Sequence, residues 1–315
     1  MSAIDTGASA SASEPSKAAP APTTTASPAP RRRRTPDGMS RGAILLRGLV
    51  LGIGAVVFLF PFYYMIVGSL QTDPDPTIAG AIPNPSNMTF ENYTNVNDRI
   101  NLLTSLVNSG IFTGGVLLGT IVFGVLAGYA MAMLQWRGQK ATFALAVLVQ
   151  VIPFQLLQIP LYVLIARDYG LADNYLGMIL PFAINSTATI IFRQYFLQLP
   201  RELFEAARID GAGEFRLLWS VGLPLVRPAL VTGILLTFIG PWNEFLWPFL
   251  ITKDASKQPL AVSLANYISN VAASTDNPFG AILAGAVVLA APVVVLFIVF
   301  QRYFVSTDLG SGVKG

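Results

Sequence analysis

The sequence predicts an all-α, polytopic membrane protein with six transmembrane helices and one charged helix-turn-helix on the cytoplasmic side. Composition is the first ground: of 315 residues, 53% are hydrophobic and only 12% charged, a balance that puts the core in lipid. Length is the second. Six runs nearly free of charge each reach the roughly 20 residues a helix needs to cross hydrocarbon. The third is the placement of the 20 Lys and Arg. All but Arg99, Arg167, Lys253 and Lys257 fall on one side of a six-span arrangement, and the positive-inside rule makes that side, with both termini, cytoplasmic.

Residues 1–40 are rich in Ala, Ser, Thr and Pro and end in Arg31 to Arg34 and Thr35-Pro36-Asp37-Gly38. No core forms from such a composition, so the segment reads as a disordered cytoplasmic tail preceding a membrane domain at 41–315. Its arginines anchor topology at anionic headgroups. Without interleaved aromatics they do not make a nucleic-acid surface. A cleaved signal peptide is the competing reading, because basic residues precede an apolar run. The run at 48–70, however, is long, ends in the aromatic-rich FLFPFYYMIV and lacks a small-x-small cleavage site. It reads as a retained span.

Five further spans follow, at about 102–134, 141–166, 174–192, 228–251 and 278–301. The second carries Gly110, Gly114, Gly115, Gly119, Gly124 and Gly128, which let helix backbones approach closely, either within the chain or at a subunit interface. Pro153, Pro160, Pro181, Pro241, Pro248 and Pro292 each remove a backbone donor and favour a kink.

With neither Cys nor His, the chain has no disulfide, no thiolate or imidazole metal site and no Ser-His or Cys-His catalytic pair. Polar side chains inside spans are the remaining candidates for chemistry, since in lipid they must face protein or water. Gln150, Gln155 and Gln158 fall in the third span, Asn185, Ser186 and Thr187 in the fourth, Asn243 and Glu244 in the fifth. Either they line a path for a neutral, hydroxyl-rich solute or they hydrogen-bond between helices. Glu244 lies about 17 residues beyond Arg227, which at about 1.5 Å per residue sets it near the outer interface, beside Trp242 and Trp247 of an aromatic belt. A structural role and a substrate contact stay equally open there.

The charged stretch at 200–228 is PRELFEAARIDGAGEFRLLWSVGLPLVRP. Pro200 suits a first helical position, and Leu203, Phe204 and Ala207 make an apolar side opposite Glu202, Glu205, Arg208 and Asp210. Asp210-Gly211 then reads as a tight turn into a second short helix carrying Phe215, Leu218 and Trp219.

The order Glu205-Ala206-Ala207, three residues, Gly211, nine residues and Val221-Gly222-Leu223-Pro224 resembles the EAA signature of ABC-importer permeases, with Val221 for Ile the one departure. The stretch TFIGPWNEFLWPFLI, with Asp210-Gly211-Ala212 and the terminal GSGVKG, is similar to the carbohydrate-uptake branch typified by the second membrane subunit of the maltose transporter. The resemblance spans about 43–315. It implies a permease subunit in the bacterial cytoplasmic (inner) membrane that translocates a sugar or oligosaccharide without being an enzyme. A loop at about 199–224, with Glu205, Ala206, Ala207, Asp210 and Gly211 in the coupling role, would dock on a cytoplasmic ATPase dimer. The other implied partners are a second permease subunit, forming a heterodimer, and an extracytoplasmic solute-binding protein touching the loop at about 252–277. A C-terminal tail at about 307–315 would reach between the ATPase subunits.

No GxxxxGK[ST] phosphate loop occurs, so ATP and Mg are expected on the partner ATPase and no cofactor on this chain. Gln150, Gln155, Asn185, Asn243 and Glu244 are the path candidates. The alternatives are the same machine carrying glycerol phosphate or a polyamine, and an ion-coupled secondary transporter, which would call for internal repeats and buried ionisable relays that the sequence lacks.

Overall fold

The computed structural model describes residues 41–270 and 278–308. The chain divides into two units at Ala55. Of the first, the described part is the opening of α1 (Arg41–Ser69), a helix that runs unbroken through Pro61. All that follows belongs to the second. Proline is tolerated in an apolar span where surrounding groups re-satisfy the freed carbonyl. From Val56 to Phe60 the side chains of α1 are exposed, as a surface facing lipid or another chain requires.

The short helix α2 (Glu91–Ile100) stops at Asn101, whose backbone is left-handed with φ +50°. The Asn101 side chain then caps α3 (Leu102–Met133) by accepting from Thr104 N. The predicted third span is not one straight helix. Its two parts, α4 (Gln139–Val149) and α5 (Phe154–Tyr162) with the wider π-turn Val163–Asp168, meet at 95°. The physical reason lies at Pro153, which has no N–H to give and disfavours helix for the residue before it.

The fourth predicted span is likewise bent, by 50°, between α6 (Tyr175–Ile179), extended by a tight turn through Pro181, and α7 (Ser186–Leu197). Beyond α7 come α8 (Arg201–Ile209), α9 (Glu214–Leu217), a π-turn at Leu218–Gly222, and α10 (Leu223–Leu225). The fifth span divides into α11 (Arg227–Asn243) and α12 (Leu246–Ile251) around Glu244. After α13 (Leu260–Asn270) the next described element is α14 (Pro278–Asp308), whose helix carries on past Pro292. It takes in Thr307 and Asp308, which sequence reasoning gave to the tail. The N-terminal tail with its arginine cluster, part of the 252–277 loop and the terminal GSGVKG lie outside the described residues.

The centre is built by α3, α7 and α11, which pack on one another. Phe192 of α7 is fully buried, and the glycines explain how. A Cβ on Gly128 of α3 would stand 2.9 Å from Phe192 Cβ and 3.0 Å from Arg193 N, and one on Gly233 of α11 would stand 2.7 Å from Phe192 Cζ. Bare backbone on two helices therefore makes the socket for one ring. Gly115, Gly119 and Gly124 likewise face Ile179, Ala183 and Phe192, so four of the six glycines of this helix serve packing within the chain; Gly110 and Gly114 face open space. Gly128→Leu is expected to cost about 1–3 kcal/mol of stability through overpacking, read as a lowered thermal midpoint in detergent. Gly110→Leu is expected to leave it unchanged.

The Trp242 and Trp247 assignment to an aromatic belt is corrected. Both are buried, and each indole N–H finds an internal carbonyl: Trp242 Nε1 donates to Leu289 O at 2.9 Å and Trp247 Nε1 to Gly177 O at 3.2 Å. The break at Glu244 starts a new helix there and gives Trp247 a direction that a continuous helix would not.

Candidate functional site

Two features hold some of the polar groups singled out above, and Gln155, Gln158 and Asn243 line neither. The first is a knob at one end of α3, α7 and α11. Pro200 stands just outside α8 with ψ 122°, as its cap and not its first helical residue. The helix ends at Asp210, and Gly211 follows at φ +82°. Such a backbone favours glycine, because a Cβ is strained there. Gly211 N donates to Arg208 O and Ala212 N to Ala207 O, both at 3.0 Å, closing the turn on the carbonyls the helix leaves free.

One side of the knob faces inward. Phe204, Leu217 and Leu218 join Val125, Tyr129, Phe192 and Phe196 in a single buried cluster, with Ala207, Val221 and Leu223 against it. Val221 is thus part of the apolar packing under the knob. The rings of Tyr129 and Phe204 lie 6.3 Å apart and those of Tyr129 and Phe196 5.4 Å.

Polar contacts fix the same joint. Glu214 accepts from Arg208 Nε at 2.8 Å and Nη2 at 3.3 Å, and its Oε2 accepts from Tyr129 Oη at 2.6 Å. One carboxylate thereby ties both helices of the knob to α3. The Arg208 hydrogen bonds hold the Glu214 carboxyl below the usual carboxylate range against an opposing desolvation, and Glu214 in turn raises Arg208. Glu205, one turn earlier, adds its field to Arg208.

The other side faces outward. Glu205, Ala206, Asp210 and Gly211 are exposed, and Ala207 is half-buried. Beside them stand Ile209, 86% exposed, Phe215, 72%, and Trp219, 66%. Of the second helix's expected apolar side only Leu218 packs inward; Phe215 and Trp219 point away. The knob therefore carries an unpartnered apolar surface around its turn. Sequence reasoning missed Ile209, Glu214 and Tyr129. The signal for Ile209 was available, since it sits on the face opposite Phe204, whereas nothing in sequence links residues 129 and 214.

The second feature is a groove between α7 and α11. One pocket of about 230 Å³ is lined by Asn185, Thr237, Gly240 and Glu244 among apolar neighbours. A second of about 140 Å³ shares Asn185, Leu236 and Thr237 and adds Thr187 and Gly233. Asn185 and Glu244 are thus brought to one surface, although each also has a local task. Asn185 Oδ1 caps α7 by accepting from Ala188 N at 3.0 Å, and Glu244 Oε1 accepts from Trp247 N at 3.2 Å. Gln150 abuts the groove through Thr187, whose Oγ1 donates to its Oε1 at 2.8 Å. Gln155 is exposed, and Asn243, also exposed, turns back to donate to Ile239 O at 3.0 Å. Gln158 is buried.

Comparison with known proteins bears on the chain as a whole. Residues 120–307 match the family described as binding-protein-dependent transport system inner membrane component. The arabinooligosaccharides transport system permease protein AraQ of Bacillus subtilis is 32% identical over 268 residues, covering 83% of this chain and 92% of that protein. The sn-glycerol-3-phosphate transport system permease protein UgpE of Yersinia pestis is 32% identical over 271 residues, covering 84% and 95%. Among solved structures, a chain of a bacterial ABC transporter involved in the import of the acidic polysaccharide alginate superposes with a TM-score of 0.72 at 26% identity, covering 84% of this chain and 99% of that one.

Proposed function

Because the chain belongs to the family of binding-protein-dependent transport system inner membrane components, we propose that it moves a sugar or oligosaccharide through the α7–α11 groove, driven at the knob by a separate ATPase. It is a multi-pass permease subunit of an ABC importer and not an enzyme. The observation that carries the drive is the knob itself, whose apolar outward surface at Ile209, Phe215 and Trp219 is backed by a buried joint to the membrane helices. An ATPase dimer docked there acts on α7 and α11, which the knob joins covalently, and on α3 through Tyr129. Glu205, Ala206, Ala207, Asp210 and Gly211 shape the docking loop at about 199–224 of a permease domain at 41–315, behind a tail at 1–40. ATP and Mg belong to that partner.

The remaining partners are a second permease, completing a heterodimer, and an extracytoplasmic binding protein. The knob and both termini are cytoplasmic and the chain crosses the membrane six times, in keeping with the distribution of Lys and Arg. The cargo reading draws on relatives named for arabinooligosaccharides and alginate. It draws equally on the groove, where Asn185, Thr187 and Thr237 offer neutral hydrogen-bonding groups. A second reading, glycerol phosphate, is favoured by the relative named for it, but the described lining holds no Lys or Arg to meet a phosphate.

The test is affinity purification in mild detergent with mass spectrometry. Recovery of an ATPase, a second permease and a solute-binding protein is expected, with the sugar identified in the binding protein. A chain that emerges alone, under conditions that keep known complexes whole, would overturn the docking reading.

A pH expectation follows from Glu214. Its carboxyl pKa is depressed, so the stabilisation of the joint is present above the ordinary carboxylate value and lost as pH falls through the lowered one. Solute moved per ATP hydrolysed is therefore expected to hold steady through neutral pH and fall only in acid. Glu214→Gln should remove the acid-dependent fall.

A further inference from the structure

We propose that residues 71–90, between α1 and α2, form an interfacial anchor that rests in the bilayer at the end opposite the knob, with lipid as its occupant. This rests on the reading of α1 as a membrane span.

The segment is strapped to the last turns of α1. Thr89 N donates to Leu70 O at 2.7 Å and Thr72 N to Asn87 O at 2.8 Å. Asn92 Nδ2 donates to Ser69 O at 3.0 Å and Gln71 O at 2.7 Å. Gln71 Nε2 reaches Gly80 O at 3.4 Å and Ile82 O at 3.5 Å.

One more bond sets the depth. Tyr64 Oη donates to Asp75 O at 2.6 Å. Tyr64 lies five residues before the end of α1, about 7 Å back along its axis, and helical side chains lean further toward the N-terminus. The chain at Asp75 is thus folded back beside the helix, into the zone that a span occupies, before it turns into the short helix Ile78–Ala81.

The residues that follow are apolar and unusually open: Ile78 is 79% exposed, Ile82 72%, Phe90 76% and Met88 54%. Phe60, one turn before Tyr64 on the same side of α1, is also exposed, so the open surface beside the strap continues along the helix. Charge attraction to headgroups does not hold it, since the segment carries Asp73 and Asp75 and neither Lys nor Arg. Apolar insertion at the acyl boundary is the remaining force.

The chain has no Cys, so single cysteines report cleanly, with the unsubstituted preparation as background for companion subunits. Ile78→Cys and Phe90→Cys are labelled with an environment-sensitive fluorophore in the purified complex, in phosphatidylcholine nanodiscs carrying doxyl lipids. Phe58→Cys, mid-span, and Ala255→Cys, on an exposed loop, are the controls. Labels at 78 and 90 are expected to be blue-shifted relative to 255, and quenched more by doxyl near the headgroup than by doxyl near the chain end. The order should reverse at 58. Absence of lipid quenching at both 78 and 90 while 58 is quenched would overturn the anchor, whether water or a protein covers the patch. Absence at 58 as well would instead show that face of α1 covered by another chain or by water, and would overturn the lipid contact on which the anchor rests.

Discussion

Gly211→Pro is expected to abolish uptake while leaving the chain inserted in the membrane. Proline fixes φ near −65° and cannot take the +82° found at this turn. It also removes the N–H that donates to Arg208 O. Together these cost more than about 1 kcal/mol, and the turn must rebuild in another shape. The angle between α8 and α9 then changes, and with it the Arg208–Glu214 pair that spans the turn. Insertion depends on the apolar helices elsewhere, so the protein should still be recovered from membranes in normal amount.

Gly211→Ala separates backbone strain from packing. A Cβ at this position meets nothing within 4 Å, so its effect is the left-handed penalty alone, about 1–2 kcal/mol, and uptake should fall without vanishing. Labelled-solute uptake into vesicles, normalised to the amount of chain in the membrane, reads both. Normal uptake by Gly211→Pro would show that the turn is no part of the lever.

That turn is legible in the sequence because so few residues tolerate φ above zero, and Asp210-Gly211 between two amphipathic stretches leaves few other readings. The long apolar helices α1, α3 and α14 are legible for a similar reason, since contact with lipid calls for a long run with almost no charge. Breaks within spans are harder to place. Pro153 announces one, yet a proline in the sequence does not fix an angle as large as the 95° found there.

Residues with two plausible roles are read less well. Trp242 and Trp247 near the end of an apolar run look like belt residues until Leu289 O and Gly177 O are seen to receive their N–H groups. Phe215 and Trp219 look like the inner face of a helix whose inner face is Leu217 and Leu218. Asn185 and Glu244 stand out as polar residues in apolar runs, but that they share a groove depends on how α7 meets α11.

The contact least visible in sequence gives the second large effect. Tyr129→Phe is expected to lower solute moved per ATP hydrolysed by about tenfold. The hydroxyl meets an ionised carboxylate at 2.6 Å, and hydrogen bonds to charged groups contribute about 1.5–3 kcal/mol, where about 1.4 kcal/mol is a factor of ten in an equilibrium. Phenylalanine keeps the ring against Phe196 and Phe204, so the buried cluster and the assembled complex should persist. What is lost is the polar tie between the knob and α3, leaving α7 and α11 to carry the motion by covalent connection. Glu214→Gln keeps an acceptor for the hydroxyl but removes the charge, and should fall between wild type and Tyr129→Phe. The ratio of transport to hydrolysis is the deciding quantity. A merely structural bond, once removed, would lower ATPase activity, uptake and thermal midpoint together and leave that ratio unchanged, whereas a transmitting bond lets hydrolysis continue while transport drops away.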